Sequence, residues 1–200
     1  QDSIALKNDN AQVAEDGSVS ISVLKNDDIK DKSNLILEIV EAPKFGTAEV
    51  KGNSIVYTPN PDANGIEVFR YKADIGTASG TAQVRINVNA VNDAPEAIVL
   101  EKNTVLENQP NGTVVGSLTT TDADKDDTFN YQLARDESSK NFKINGSNLI
   151  TNNSFDFEET ATYSVTIQVT DSGKETFIGT VLVKVENENE PPILKGNKNL

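Results

Sequence analysis

The sequence predicts an all-β protein made of two tandem seven-stranded Greek-key β-sandwiches, joined end to end as a rod. Four observations support this prediction. Apolar and polar residues alternate within short segments of the sequence. Glycine, proline and asparagine separate these segments, and no stretch shows the 3.6-residue period of an amphipathic helix. A junction motif also recurs, with Asn92 and Asn189 lying 97 positions apart, which is the length of one small domain.

The first predicted domain covers residues 1–95. Its apolar runs are bounded by residues that form turns, among them Pro43, Gly46, Gly52 and Pro59. Each run is short and rich in β-branched and aromatic residues, which favour strands. We predict strands over residues 19–24, 35–40, 47–50, 55–57, 66–71 and 81–88.

The second predicted domain covers residues 96–192, and residues 193–200 are interpreted as the start of a following repeat or a tail. Asn145-Gly146 predicts a hairpin turn within this domain. We predict strands over residues 98–100, 113–118, 129–133, 142–144, 149–151, 163–169 and 177–185. The aromatic residues in these runs are predicted to fill the core: Phe129, Tyr131, Phe142, Tyr163 and Phe177.

The junction motif reads VNDAP at residues 91–95 and ENEPP at residues 188–192, and a weaker relative, NDNA, occupies residues 8–11. Each of the two full copies follows an alternating strand. Because proline fixes φ and cannot donate to a sheet ladder, it keeps the exit from that strand extended. We therefore interpret the two full copies as linkers between successive domains, in a chain that reads as a piece of a longer protein.

Composition excludes several classes of function. The formal net charge is −13 and no basic run is present, which excludes binding to nucleic acid or to an anionic membrane surface. No apolar run approaches 18 residues, so membrane insertion is not predicted. The chain has no His or Cys and no coherent catalytic set, and we interpret it as a monomeric, non-enzymatic fragment.

Five motifs in the second half occur in the order found in one family: LEN at 106–108, DAD at 122–124, FDFE at 155–158, TDSG at 170–173 and NEPP at 189–192. On these motifs residues 96–192 resemble a cadherin repeat. The first half resembles the bacterial immunoglobulin-like or cadherin-like repeats of large exported adhesins. The motifs that carry this second resemblance are EDG at 15–17, VLKND at 23–27, FGT at 45–47, YTP at 57–59 and NDAP at 92–95.

The cadherin resemblance implies Ca²⁺ as the cofactor, since this ion takes six to eight oxygen ligands. In an extended segment Asp122 and Asp124 project to the same side, which leaves two carboxylates in need of a cation. An EF-hand loop is excluded, because its sixth and twelfth positions here hold Asp127 and Leu133 instead of Gly and Glu. The resemblance implies one upper set of ligands, formed by Asp122, Asp124 and Asp171 of the second domain, Asn92 and Asp93 of the linker, and Glu15 of the first domain.

The resemblance also implies a lower set of ligands. It comprises Glu107, Asp156 and Glu158 with Asn189 and Glu190, and it awaits ligands from a following domain. Ala90 and Asn187 occupy linker positions where the family has Asp, and Glu190 replaces another Asp, so we predict one or two ions. A third, upper site in the first domain would use Asp9, Asp27, Asp28, Asp31 and Asp74. For the acids of all three sets, the alternative interpretation is ordinary turn formation.

These resemblances imply a calcium-stiffened extender segment of a secreted or cell-surface bacterial adhesin that acts in cell adhesion. Its partners would be the neighbouring repeats and, beyond them, a cell-surface protein or polysaccharide. An alternative function is a calcium-dependent carbohydrate-binding module of a secreted polysaccharide-processing protein. The absence of Trp, and of an exposed aromatic platform for sugar rings, does not favour that alternative.

Overall fold

The computed structural model describes residues 3–190, so the predicted tail at 193–200 and the last two prolines of the second junction lie outside the described residues. The chain divides into two units, one that ends at Val91 and one that begins at Asn92. The division falls four residues before the boundary expected at residue 95. Each unit has its own hydrophobic core.

The first unit is a two-layer β-sandwich. Its strands are β1 (Ile4–Ala5), β2 (Asp9–Ala14), β3 (Val19–Ile21), β4 (Asp28–Ile29), β5 (Ile36–Glu41), β6 (Gly46–Lys51), β7 (Ser54–Pro59), β8 (Gly65–Asp74) and β9 (Ser79–Asn89). One sheet has the order β2-β9-β8-β5, and the opposing sheet has the order β3-β7-β6. A small ladder between β1 and β4 is added to these seven strands. The predicted strands are therefore confirmed as segments of this sandwich.

Alternation along the strands fills the core of the first unit. In β8 and β9 every second residue is buried, and Phe69, Tyr71, Val84 and Ile86 are fully enclosed. Tyr57 from the opposing sheet stacks on Phe69, with ring centroids 6.3 Å apart. The period-2 pattern of the sequence thus becomes the inner face of a sandwich.

Strand β2 is a difference from the sequence prediction. Residues 8–11 looked like a relative of the junction linker, but Asp9–Ala14 is a strand that runs parallel to β9. Its inward positions are Asp9, Ala11 and Val13, of which Asp9 is buried although it is acidic. Because an acid occupies one of the inward positions, this segment lacks the alternation of apolar and polar residues that identifies a strand in a sequence.

The second unit is also a β-sandwich. Its elements are β10 (Ala97–Leu100), β11 (Thr104–Leu106), β12 (Val114–Thr121), β13 (Asn130–Leu133), the single-turn helix α1 (Ser138–Asn141), β14 (Phe142–Asn145), β15 (Asn148–Thr151), β16 (Thr162–Thr170) and β17 (Thr176–Glu186). The two sheets have the orders β10-β12-β15-β14 and β11-β17-β16-β13. All seven predicted strands are present, and β11 is an additional short strand parallel to β17.

The core of the second unit contains all five predicted aromatic residues. Tyr131 and Phe142 are buried, while Phe129, Tyr163 and Phe177 are partly buried against the core. Phe155, which the sequence analysis placed in a metal motif, is also buried and lies 4.7 Å from the Tyr163 ring, centroid to centroid. The predicted hairpin is confirmed, because Asn145 pairs with Asn148 around Gly146, whose φ is 62°.

Across residues 3–190, no helix is long and apolar enough to span a membrane.

Candidate metal centre

The loop that follows β12 carries the first two predicted ligands. Asp122 accepts a hydrogen bond on Oδ1 from the backbone N–H of Asp124 (2.9 Å), which closes a tight turn of the kind that Asp commonly forms. The Oδ2 atom of Asp124 accepts a hydrogen bond from the backbone N–H of Asp93, also at 2.9 Å. The turn therefore holds the two carboxylates beside the beginning of the second unit.

Asp127 is a third carboxylate of this loop, and the sequence analysis did not include it among the ligands. Oxygens of Asp122, Asp124 and Asp127 lie within 4.8 Å of one another. Asp127 Oδ1 accepts hydrogen bonds from the Thr128 backbone N–H (2.7 Å) and from both the backbone N–H and the hydroxyl of Ser172. The hydroxyl bond from Ser172 is the main reason why the pKa of Asp127 lies below its ordinary value. Asp127 is therefore held in its charged form.

Two oxygens of this cluster have no partner in the described part of the chain. Oδ2 of Asp122 and Oδ2 of Asp127 are both buried and accept no hydrogen bond. A buried charged oxygen without a partner is costly, and native proteins rarely leave one in that state. Two ligands of one Ca²⁺ ion lie at most about 5 Å apart, because each Ca–O distance is about 2.5 Å. The spacing and the unpartnered oxygens therefore fit a hard cation.

Asp171 follows β16 and positions the linker residue Asn92. Its side chain is 3% exposed; Oδ1 accepts a hydrogen bond from the Glu175 backbone N–H (2.8 Å) and Oδ2 accepts one from the Asn92 side-chain amide (2.9 Å). A Cβ atom on Gly173 would lie 2.1 Å from Oδ1 of Asn92. The Asp-x-Gly spacing of residues 171–173 therefore combines an acceptor for Asn92 with the space that its side chain occupies.

The contacts of the second unit thus join five of the predicted upper ligands: Asn92, Asp93, Asp122, Asp124 and Asp171. Asn92 also donates to the backbone carbonyl of Asp93, at 3.0 Å. The arrangement is a series of hydrogen-bonded, oxygen-bearing groups at the start of the unit. Oxygen ligands of this kind suit Ca²⁺.

Glu15, the predicted ligand from the first unit, directly follows the parallel strand β2. It is 3% exposed, and its two oxygens accept hydrogen bonds from the Val91 backbone N–H (2.7 Å) and the Asn64 side-chain amide (3.0 Å). The sequence analysis predicted neither partner. Glu15 therefore fastens the last residue of its unit to the body of that unit.

Glu107 occupies the equivalent place in the second unit, directly after the parallel strand β11. It is fully buried, and its oxygens accept hydrogen bonds from the Glu188 backbone N–H (2.7 Å) and the Phe157 backbone N–H (2.9 Å). Both carboxylate oxygens of Glu107 therefore accept a hydrogen bond from the backbone of the second unit.

The other predicted lower ligands surround Glu107 to different degrees. Oxygens of Glu107, Asp156 and Glu158 lie within 4.8 Å of one another, although Asp156 and Glu158 are exposed. Glu158 accepts a hydrogen bond from the Asn187 side chain (2.7 Å), and Glu190 accepts one from Asn108. Asn189 is exposed. The structure thus groups three carboxylates here with more solvent access than at the upper end.

The acids predicted for an upper site in the first unit are dispersed. Asp9 and Asp27 both accept hydrogen bonds from the Tyr71 hydroxyl, at 3.1 Å and 3.4 Å. Asp74 pairs with Lys72 at 2.8 Å, whereas Asp31 accepts a hydrogen bond from the backbone N–H two residues later. Within residues 3–190 these acids form no cluster of three carboxylates.

Burial of Asp9 has an electrostatic consequence. Loss of solvation raises the pKa of Asp9 to about 6; Tyr71 opposes this shift by hydrogen bonding, and the nearby Asp27 adds to it. The same environment raises the pKa of the Tyr71 hydroxyl, again mainly through burial. These groups form a buried polar network, which is a structural alternative to a metal site.

Comparison with protein families agrees with this division of the chain. Residues 1–89 match the family model of the bacterial Ig domain, and residues 102–186 match that of the cadherin domain.

Among curated proteins, the chain is 35% identical over 131 residues to human Protocadherin-1 and 34% identical over 118 residues to the Drosophila melanogaster Protocadherin-like wing polarity protein stan. These matches cover 60% and 56% of this chain but only 12% and 3% of the respective relatives. The chain thus corresponds to a small part of each of these proteins.

Among solved structures, extracellular cadherin domains 3–6 of Protocadherin Gamma B2 match with a TM-score of 0.63 and 16% identity, over 92% of this chain and 47% of that chain. Human mucin-like protocadherin EC1-2 matches with a TM-score of 0.54 and 20% identity, over 93% of this chain and 99% of that chain. At these identities the likeness establishes the fold.

Proposed function

Because residues 1–89 form a bacterial Ig domain and residues 102–186 form a cadherin domain, we propose that this chain is a calcium-binding extender segment of an extracellular bacterial adhesin. Its role is mechanical and non-catalytic. Ca²⁺ stiffens the connection between successive domains, and the segment carries an adhesive region at a distance from the cell surface.

The observation that supports calcium binding is the pair of buried, unpartnered oxygens on Asp122 and Asp127. Asp124 supplies a third carboxylate within 4.8 Å. Two carboxylates about 4 Å apart repel each other by about 1 kcal/mol in water and by about 4 kcal/mol at an effective dielectric constant of 20. A divalent cation removes this repulsion and provides the missing partner for both oxygens.

The effect on the linker follows from the connectivity. Asn92 and Asp93 come directly after the last residue of the first unit, and both are hydrogen-bonded to carboxylates of the upper set. An ion held by that set restrains the φ and ψ angles at which the two domains join. We include Glu15 as a further ligand because the motifs of the sequence occur in the order of the family that it resembles. Interdomain motion is the default where interfaces are small, so restraint at this point changes the reach of the whole segment.

Titration calorimetry with Ca²⁺ tests the proposal. Asp122→Asn and Asp127→Asn each remove one negative charge at an unpartnered oxygen. We expect the Ca²⁺ affinity of each variant to fall by about tenfold or more, because a charge-assisted contact contributes about 1.5–3 kcal/mol. The matched control is Asp126→Asn, because Asp126 is exposed, lies in the same loop and is outside the cluster. Equal affinity of all three variants and the wild type would refute the proposed site.

A further inference from the structure

The outer face of the four-stranded sheet in the first unit has an unusual composition for this chain. The outward residues of β2 and β9 include no acid, and five of them carry a side-chain amide: Asn10, Gln12, Gln83, Asn87 and Asn89. Thr81 and Arg85 lie in the same outward row of β9. The chain as a whole has a net charge of −13. The part of this face formed by β2 and β9, which has no outward carboxylate, is therefore a local exception.

Strand register places two arginines near the middle of this face. Arg85 lies opposite Asn10 of β2 and opposite Val68 of β8, whereas Arg70 lies opposite Gln83. Arg70 and Arg85 are therefore diagonal neighbours on adjacent strands, about 7–8 Å apart at the backbone. Both side chains are exposed.

The charge of these arginines is not neutralised by ion pairs. Of the three arginines in the sequence, Arg70 and Arg85 lie on this face, and neither forms a salt bridge in the described part of the chain. The acids of the face are confined to its β5 side, where Glu38 is opposite Lys72 and Glu41 is opposite Arg70, and to Asp74, which pairs with Lys72. The surface around Arg85 has hydrogen-bond donors and a positive charge, and none of the outward residues of β2 or β9 is an acid.

We propose that this face binds a carboxylate-bearing polysaccharide. The guanidinium group presents a planar fork of N–H donors that matches a carboxylate with two parallel hydrogen bonds. Asn and Gln side chains both donate and accept, which matches sugar hydroxyls, groups that do the same. The outward Ile66 and Val68 add apolar contact beside Arg85.

The dimensions of the face also suit an extended chain. The outward row of β9 runs from Thr81 to Asn89, a length of about 27 Å at about 3.3 Å per residue. Repulsion from acids more than about 8 Å away is screened at physiological ionic strength, so the part of the face around Arg85, which has no outward acid on β2 or β9, decides whether a polyanion is held here. An acidic peptide offers carboxylates but few hydroxyls, and it uses the amide-rich part of the face less fully.

The test is binding of the whole chain to soluble hyaluronan, with dextran as the neutral polysaccharide and poly-L-glutamate as the carboxylate-bearing peptide. We expect binding to hyaluronan that weakens with salt, and no binding to dextran. Arg70→Gln/Arg85→Gln should reduce the affinity about tenfold or more, and Arg70→Lys/Arg85→Lys should lose part of it because the ammonium group lacks the planar fork.

The matched control is Arg135→Gln/Lys143→Gln, which removes the same charge from exposed positions of the second unit. Asp122→Asn should leave hyaluronan binding unchanged, which separates this proposal from the calcium proposal. Equal loss in the two Gln double variants, equal binding of poly-L-glutamate, or no binding of hyaluronan would overturn the proposal.

Discussion

Glu15 and Glu107 make the same connection in the two units. Each directly follows a strand that runs parallel to the last strand of its unit, and each accepts a backbone hydrogen bond of 2.7 Å from a residue just beyond that last strand, Val91 or Glu188. Their own N–H groups donate to the last residues of these strands, Asn89 and Glu186, both at 3.0 Å. A buried carboxylate thus fastens the exit of the chain to the body of each domain.

Glu107→Gln tests this fastening. An amide has one acceptor oxygen where the carboxylate has two, so one of the two backbone N–H groups loses its buried partner. We expect the free energy of unfolding to fall by about 1–3 kcal/mol. Urea denaturation measures it, and Glu159→Gln, at an exposed position, is the control. A fall of the same size in both variants would show that the buried hydrogen bonds are not responsible.

Gly173→Ala tests the packing of Asn92. The added methyl group would lie 2.1 Å from Asn92 Oδ1, so the Asn92 side chain must leave its place beside Asp171. We expect weaker Ca²⁺ binding and lower thermal stability. In Asn92→Ala/Gly173→Ala the clash is absent, so part of the stability should return while the Ca²⁺ affinity stays low. If the double variant is as unstable as Gly173→Ala, the clash is not the cause.

Asp9→Asn tests the buried network around Tyr71. The folded pKa of Asp9 is raised from 3.8 to about 6, so folding favours the protonated form. This contribution to stability is complete below the unfolded pKa and is lost as the pH rises through the folded value, a loss of at most about 3 kcal/mol. The asparagine variant should therefore gain stability relative to the wild type between about pH 4 and pH 7. Urea unfolding across that range measures the difference, and a difference independent of pH would contradict the assignment.

The strands that could be predicted from the sequence are those with a clear pattern of apolar side chains. Strand β9 was identified because every second residue from Ala82 to Val88 is apolar, and β8 because it is rich in β-branched and aromatic residues. The structure buries the apolar inward residues of both strands. The parallel strands β2 and β11 were not identified, because β11 has three residues and β2 turns Asp9 inward. Both strands depend on pairing with the end of a distant strand, which local pattern does not reveal.

The candidate metal centre shows the same limit. Motif order predicted Asp122, Asp124 and Asp171, and the structure connects them to the linker residues Asn92 and Asp93. Asp127 was missed because its place depends on Ser172, 45 positions away, which binds one of its oxygens and leaves the other buried and free of hydrogen bonds. Only the fold brings those two residues together.

The most direct measurement of the calcium proposal is small-angle X-ray scattering of the chain in EDTA and in millimolar Ca²⁺, with Asp122→Asn and Asp126→Asn measured in parallel. We expect Ca²⁺ to narrow the distribution of interatomic distances of the wild type and of Asp126→Asn, because the ion restrains the linker, and to change that of Asp122→Asn much less. Identical distributions with and without Ca²⁺ in the wild type, or equal narrowing in all three proteins, would contradict the proposal that this cluster stiffens the segment.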